Sequence, residues 1–270
     1  MRPACRRRAR PARRITQEAG AAGRTGRGGG GGALIAWLIR HGESEGNAGL
    51  PTRNAGDSAL TTRGVEQAKL VAAAFAASPS LIVVSPYRRA AQTAAPTVAR
   101  FPAVPREEWP VQEFTYLGRL HGRLTTGAER QQFREAYWAR ADPWYADGPR
   151  SESFQGVLGR GRDLLERLRG AGVPRVAVFT HAMFIRATLW PLLGGGEVSA
   201  EVSAEEMRRF RAFALGLPIP NGALLELRFG PGGGVAVGGI STAHLPAALL
   251  TGTHGPRAES PDRRRGGRTR

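Results

Sequence analysis

Cysteine and lysine are almost missing from this chain of 270 residues, which has one of each, Cys5 and Lys69, against 38 arginines. A lone cysteine excludes an intramolecular disulfide and a cysteine-based metal site. Such a chain tolerates a reducing compartment, so a cytoplasmic protein is expected. No apolar run approaches the roughly 18 residues of a spanning helix, and no membrane association is expected. The five histidines, at 41, 121, 181, 244 and 254, show no metal-ligand spacing. A hydrophobic fraction of 41% with five tryptophans excludes a wholly disordered chain. By length this is one large domain or two small ones. Oligomeric state is not readable from the sequence.

Arginine is what the chain has in excess, and the formal charge is +17. Most of that excess sits at the ends. Residues 1–32 carry nine arginines and one glutamate, and residues 254–270 carry six arginines and two acids. The middle, 33–253, has 24 basic and 19 acidic residues and is only mildly basic. Arginine in place of lysine, with abundant alanine, glycine and proline, fits a GC-rich coding sequence as well as it fits phosphate binding. The arginine pairs near the start precede a glycine-rich stretch rather than an apolar segment, so a secretory or twin-arginine signal fits poorly. Residues 1–32 read as a disordered basic leader, a flexible tail or the product of an early start codon, and 251–270 as a disordered basic tail. Charge runs of this kind are usually solvated, so nucleic acid is not the expected partner. A phosphate- or nucleic-acid-binding protein using its arginine-rich tails is the alternative from a different class.

Between the tails, over 33–250, short apolar runs alternate with helical patterns. Strands are expected at 33–39, 81–84 and 175–180, with a late hairpin pairing 223–229 and 235–240. Helices are expected at 63–77, 89–98, 128–140, 151–169, 184–193 and 204–215. This order predicts an α/β three-layer sandwich, a mostly parallel sheet with helices on both faces. The first three strands are continuous apolar runs, as they are where both sheet faces are covered. The stretch from about 105 to 150, rich in tryptophan, tyrosine and proline, reads as a small lid-like insertion.

Ligands of open α/β sheets collect at the carboxyl ends of the strands. Arg40-His41-Gly42-Glu43-Ser44 follows the first strand, Ser85-Pro86-Tyr87-Arg88-Arg89 the second and His181-Ala182-Met183 the third. Any one of these residues alone reads as structural; the set at three strand ends does not. A neutral imidazole is a competent nucleophile toward phosphorus. Arginine supplies planar, bidentate donors for phosphoryl oxygens. Ser44 and Asn47, in the loop after His41, are hydrogen-bonding candidates for substrate or ordinary turn residues.

Four segments in order resemble the histidine phosphatase (phosphoglycerate mutase-like) superfamily. They are Leu38-Ile39-Arg40-His41-Gly42-Glu43-Ser44-Glu45-Gly46-Asn47, Leu60-Thr61-Thr62-Arg63-Gly64-Val65-Glu66-Gln67-Ala68, Ser85 through Ala94, and Val178 through Arg186. The resemblance covers roughly residues 33–245. It implies a transiently phosphorylated His41, with Arg40, Arg89 and His181 binding the phosphate, and it implies no metal or organic cofactor. It also implies a carboxylate acid/base. Glu113 is the first candidate and Glu107 and Glu108 are the alternatives. The surroundings of Glu113 depart from the commonest family form: Gly118 lies five residues on, followed by Arg119-Leu120-His121-Gly122 rather than W-E-G. Arg88 and His121 read as solvated neighbours and Arg186 as structural. The expected activity is hydrolysis of a small phosphorylated metabolite. Phosphoglycerate mutase-type transfer is the runner-up, disfavoured because the F-T-G-W-x-D segment of the mutases does not follow Asn47.

Overall fold

The computed structural model describes residues 33–193 and 201–253. The basic leader, Cys5 and the chain beyond 253 lie outside the described residues. Six strands and six helices follow one another: β1 (Leu34–Arg40), α1 (Thr62–Ala74), β2 (Leu81–Val84), α2 (Arg88–Arg100), β3 (Arg106–Glu108), α3 (Gln131–Arg140), α4 (Phe154–Arg169), β4 (Arg175–Thr180), α5 (Ala182–Leu189), α6 (Ala204–Gly216), β5 (Leu224–Phe229) and β6 (Val235–Ser241). They form one sheet in the order β3-β2-β4-β1-β5-β6. The first four strands in that order are parallel, and β5 alone runs against them, pairing antiparallel with both β1 and β6, so the sheet is mostly parallel. The late hairpin closes with Gly230 donating to Gly234 O at 2.9 Å.

Successive side chains on a strand point to opposite faces, and here that divides the core. Leu34, Ala36 and Leu38 of β1, Leu81 and Val83 of β2, and Val176 and Val178 of β4 pack with buried residues of α4, α5 and α6. Ile39, Ile82, Val84, Ala177 and Phe179 point the other way, onto Val71 of α1, Ala94 of α2 and Phe75. Both faces are therefore covered, and the central strands are apolar at every position but the ends of β1 and β4. Hydroxyl caps set three helix starts: Thr61 accepts from Gly64 N, Ser153 from Gly156 N and Ser203 from Glu206 N. The capping role of Ser153 moves the start of α4 three residues beyond the expected 151.

β3 is absent from the sequence reading, because Arg106-Glu107-Glu108 shows no apolar alternation. It is an exposed edge strand that pairs with β2 through its backbone alone. It lies within the stretch 105–150, which otherwise carries α3 and irregular chain. Among the described residues no helix is long and apolar enough to cross a membrane.

One close approach links the fold to the loop after β1. A Cβ on Gly64 would lie 2.0 Å from Glu43 O, and one on Gly42 would lie 2.5 Å from Gly64 O. The first turn of α1 thus touches that loop backbone to backbone. Gly64→Ala is expected to destabilise the fold by about 3 kcal/mol, since backbone on both sides cannot yield. Gly159→Ala, in the middle of α4 with open space around it, should instead stabilise by about 0.5 kcal/mol. Urea unfolding of the two variants tests the opposite signs.

Candidate active site

The carboxyl end of β1, with Arg40 and His41, and Arg89 of α2 line one cavity of about 320 Å³, and His181 at the end of β4 is buried behind it. Arg40 pairs in register with Thr180, so the next residue on each strand brings His41 beside His181. Their ring centroids are 5.1 Å apart, and both rings are buried.

His41 is held at both nitrogens. Its Nδ1 lies 2.7 Å from Gly42 O and its Nε2 accepts from Arg89 Nε at 3.0 Å. A carbonyl can only accept and a guanidinium can only donate. The proton therefore sits on Nδ1 and the lone pair on Nε2. Burial, then the charges of Arg89 and Arg40, push the pKa of His41 well below the ordinary 6.5. His181 is lowered likewise, by burial first and then Arg89. Its Nε2 pairs with Ser85 Oγ at 2.8 Å, while its Nδ1 is buried with no partner among the described residues.

The arginines around these rings are short of counter-charge. Arg40 donates through Nη1 to Ile219 O and leaves a buried Nε unpaired. Burial, followed by the nearby charge of Arg186, brings its pKa down to about 10. Arg89 donates through Nη1 to Ala55 O and is lowered mainly by burial. Among the described residues neither makes an ion pair. A buried cation without a partner is costly, and an arriving anion relieves that cost.

Glu113 is the carboxylate that lines the same cavity. Its oxygens accept from Met183 N and Phe184 N at 3.1 Å, so it caps α5, whose N-cap residue His181 makes no side-chain cap bond. Thr180 Oγ1 donates to Val111 O and ties the Glu113 segment to the end of β4. Glu107 and Glu108 lie on the exposed edge strand, and Glu107 accepts from Trp109 Nε1 at 2.8 Å.

Ser44 and Asn47 both line the cavity. Asn47 Oδ1 accepts from Ser44 Oγ at 3.1 Å and Asn221 Nδ2 at 3.0 Å, and its own amide nitrogen has no partner among the described residues. Arg88 is exposed. Arg186 is buried and donates through Nε and Nη2 to Leu217 O. His121 lines the outer cavity and is exposed, with Arg150 Nη1 2.8 Å from its Nε2.

Asn221 escapes the sequence reading. It is fully buried, and its Nδ2 also donates to His41 O at 3.2 Å, while its Oδ1 accepts from Thr251 Oγ1 at 3.3 Å. Its neighbour Gly222 donates to Arg40 O and His41 O, both at 3.2 Å. The only cue in the sequence is an asparagine-glycine pair just before a strand, which reads as a turn. Gln67 likewise holds Glu43 N at 2.7 Å and reaches Leu249 O at 2.6 Å. Thr93 Oγ1 accepts from Gly42 N at 3.0 Å. Among the described residues no three His, Cys, Asp or Glu side chains gather closely enough to hold a metal ion.

The fold is shared with solved phosphatases. An alpha-ribazole phosphatase from Shigella flexneri matches with TM-score 0.60 at 20% identity, over 79% of this chain and 98% of that one. A mycobacterial glucosyl-3-phosphoglycerate phosphatase gives 0.57 at 24%, over 76% of this chain and 97% of that one. A phosphoserine phosphatase from Entamoeba histolytica gives 0.59 at 20%, over 79% of this chain and all of that one. A search of curated proteins gives no sequence match. The family model for the histidine phosphatase superfamily (branch 1) matches residues 36–237, which hold the carboxyl ends of β1, β2 and β4. The chain belongs to the histidine phosphatase superfamily.

Proposed function

We propose that the protein is a phosphomonoester hydrolase that works through a phosphohistidine on His41 and acts on a small phosphorylated substrate. The observation that carries this reading is the unprotonated Nε2 of His41, held by Arg89 beside two buried guanidinium groups that make no ion pair among the described residues. The substrate phosphoryl group takes the place of that missing counter-charge. Its oxygens draw the donors of Arg89 and Arg40, and Arg89 Nε swings from the histidine to the substrate. This uncovers the Nε2 lone pair at the moment phosphorus arrives. Asn47 and Ser44 add neutral donors, and His181 adds a polar ring beside the transferring group.

In the first half-reaction Nε2 forms a bond to phosphorus, the ester P–O bond breaks, and Glu113 gives a proton to the departing alkoxide. In the second, Glu113 takes a proton from water, the water oxygen attacks phosphorus, and the P–N bond breaks to restore the imidazole lone pair. Inorganic phosphate and the alcohol are the products. The segment 105–150, which supplies Glu113 and much of the outer cavity wall, acts as the lid. Asn221 is a positioning residue: through His41 O and Asn47 Oδ1 it fixes the loop that carries the nucleophile.

Three measurements test this reading. Wild-type protein should hydrolyse 4-nitrophenyl phosphate without added metal and form an acid-labile phosphoenzyme. His41→Ala should do neither; an inert wild type, or an active His41→Ala, overturns the proposal. Glu113→Gln should lower turnover of an alkyl phosphate by about 100-fold or more. With 4-nitrophenyl phosphate, whose leaving group needs no proton, it should give one rapid equivalent of nitrophenolate and then slow release, because dephosphorylation still needs the base.

The titration of His41 by NMR should lie well below 6.5 in the free protein. Arg89→Gln should move it upward, because a positive neighbour and a hydrogen bond to the neutral form are both removed. Asn221→Ala should reduce kcat/KM by about 100-fold. Asn221→Asp should be equally impaired, since a carboxylate still accepts from Thr251 but cannot donate to His41 O.

A further inference from the structure

The outer part of the cavity holds a second set of cations that the chemistry at His41 does not use. Arg130, just before α3, Arg134 one turn further on, and Arg53 from the facing loop all line it. The antiparallel bridge between Thr52 and Thr125 brings them together. Arg130 locks that bridge, donating through Nη1 to Thr52 Oγ1 at 3.1 Å, Thr125 O at 2.7 Å and Thr125 Oγ1 at 3.0 Å. Arg134 turns Nε and Nη2 to Gln131 Oε1. Arg53 has one long contact, Nη1 to Gly122 O at 3.4 Å.

None of the three holds a carboxylate among the described residues, whereas Arg63, Arg119 and Arg160 each do. The acids nearest in sequence make no ion pair with them, although the charge of Glu129 partly offsets that of Arg130. Glu129 accepts from Thr126 N at 2.7 Å and Thr126 Oγ1 at 2.8 Å, and Glu135 accepts from Gln131 Nε2 at 2.6 Å. Arg130 is half-buried, and desolvation and then the charge of Arg134 lower its pKa. Like charges held close without a counter-ion repel, so the cluster is more stable with an anion between its members. The same cavity is also lined by the apolar side chains of Phe114, Leu117 and Leu120.

We infer that the substrate is a phosphomonoester whose alcohol part carries a second anionic group, a carboxylate or another phosphate, bound by Arg53, Arg130 and Arg134. This rests on the phosphatase reading and specifies which esters that site takes. The phosphoryl group goes to the buried floor, the neutral body passes the apolar wall, and the second anion meets the rim. An unbranched neutral ester fills the floor and leaves the rim unsatisfied.

A series of ω-carboxyalkyl phosphates of two to six carbons, each compared with the alkyl phosphate of equal length, tests this by phosphate release. At the length that spans the cavity, kcat/KM should favour the carboxylated ester at least tenfold. Arg134→Gln and Arg53→Gln should each cut that ratio about tenfold. Arg53 is exposed and weakly held, so its variant folds; Arg130 is left intact because it holds the Thr52–Thr125 bridge. Turnover of both series with no preference at any length overturns the rim subsite and leaves the phosphatase reading standing. A preference that survives both substitutions also overturns it. If neither series nor 4-nitrophenyl phosphate is hydrolysed, the phosphatase reading fails and the subsite falls with it.

Discussion

The imidazole of His41 is gripped from two sides, by the carbonyl of Gly42 and by Arg89 Nε, and much of the molecule exists to keep that grip. A free histidine rotates, titrates near neutral pH and exchanges its proton between two nitrogens. Here a fixed acceptor on one side and a fixed donor on the other leave a single tautomer and a single ring plane. Burial and two cations then disfavour the protonated form. Each step works in the same direction: an unprotonated Nε2 held by Arg89 at the cavity that both residues line. Order of this kind lowers the entropic part of a barrier, because the geometry is set during folding rather than at reaction.

Such a grip needs a backbone that does not move, and the surrounding motifs read as its supports. Gly42 and Gly64 let the loop after β1 lie directly on the first turn of α1. Gln67 from that helix, Thr93 from α2 and Asn221 from the entry to β5 each hold a backbone group of residues 41–43. The C-terminal segment closes the arrangement: Thr251 O accepts from Asn221 N at 2.9 Å, and Gly252 lies so near Arg40 Nη1 that a Cβ there would come within 2.7 Å. Two helices and the approach to β5, far apart in sequence, thus converge on three residues. Over-determination is what allows unpaired cations to persist at the centre, since the rest of the fold sets their position regardless of their repulsion.

The parts of this arrangement that were legible in the sequence are the parts with a local signal. β1, β2 and β4 announce themselves as apolar runs because both sheet faces are covered, and His41, Arg89 and His181 are legible because strand ends are where such folds bind ligands. β3 has no such signal; Arg106-Glu107-Glu108 is a strand only because the edge of β2 offers backbone partners. Asn221 looks like a turn residue until β5 brings it back beside β1, a relation 180 residues long in sequence. Arg53, Arg130 and Arg134 are lost among 38 arginines. Only the folded chain distinguishes those facing a cavity without a carboxylate from those paired on the surface.

That distinction changes what the net charge means. A total of +17 suggests a polyanion-binding surface, yet a solvated arginine in a tail is screened within about 10 Å and attracts almost anything negative weakly. The guanidinium groups of Arg40 and Arg89 are few, but burial strips them of water, so each interacts far more strongly with a charge that reaches it. Their pKa values fall because the protein around them does not replace the lost hydration. The same deficit that makes these groups costly in the empty protein makes a phosphoryl dianion the group best able to relieve it. In the proposed reaction, selectivity for phosphate over other anions would follow from shape: planar donors would converge on a tetrahedral group as Arg89 releases the Nε2 lone pair toward phosphorus. The chemistry depends on where two arginines are buried, and the other thirty-six could change without altering it only so far as they leave that cavity alone.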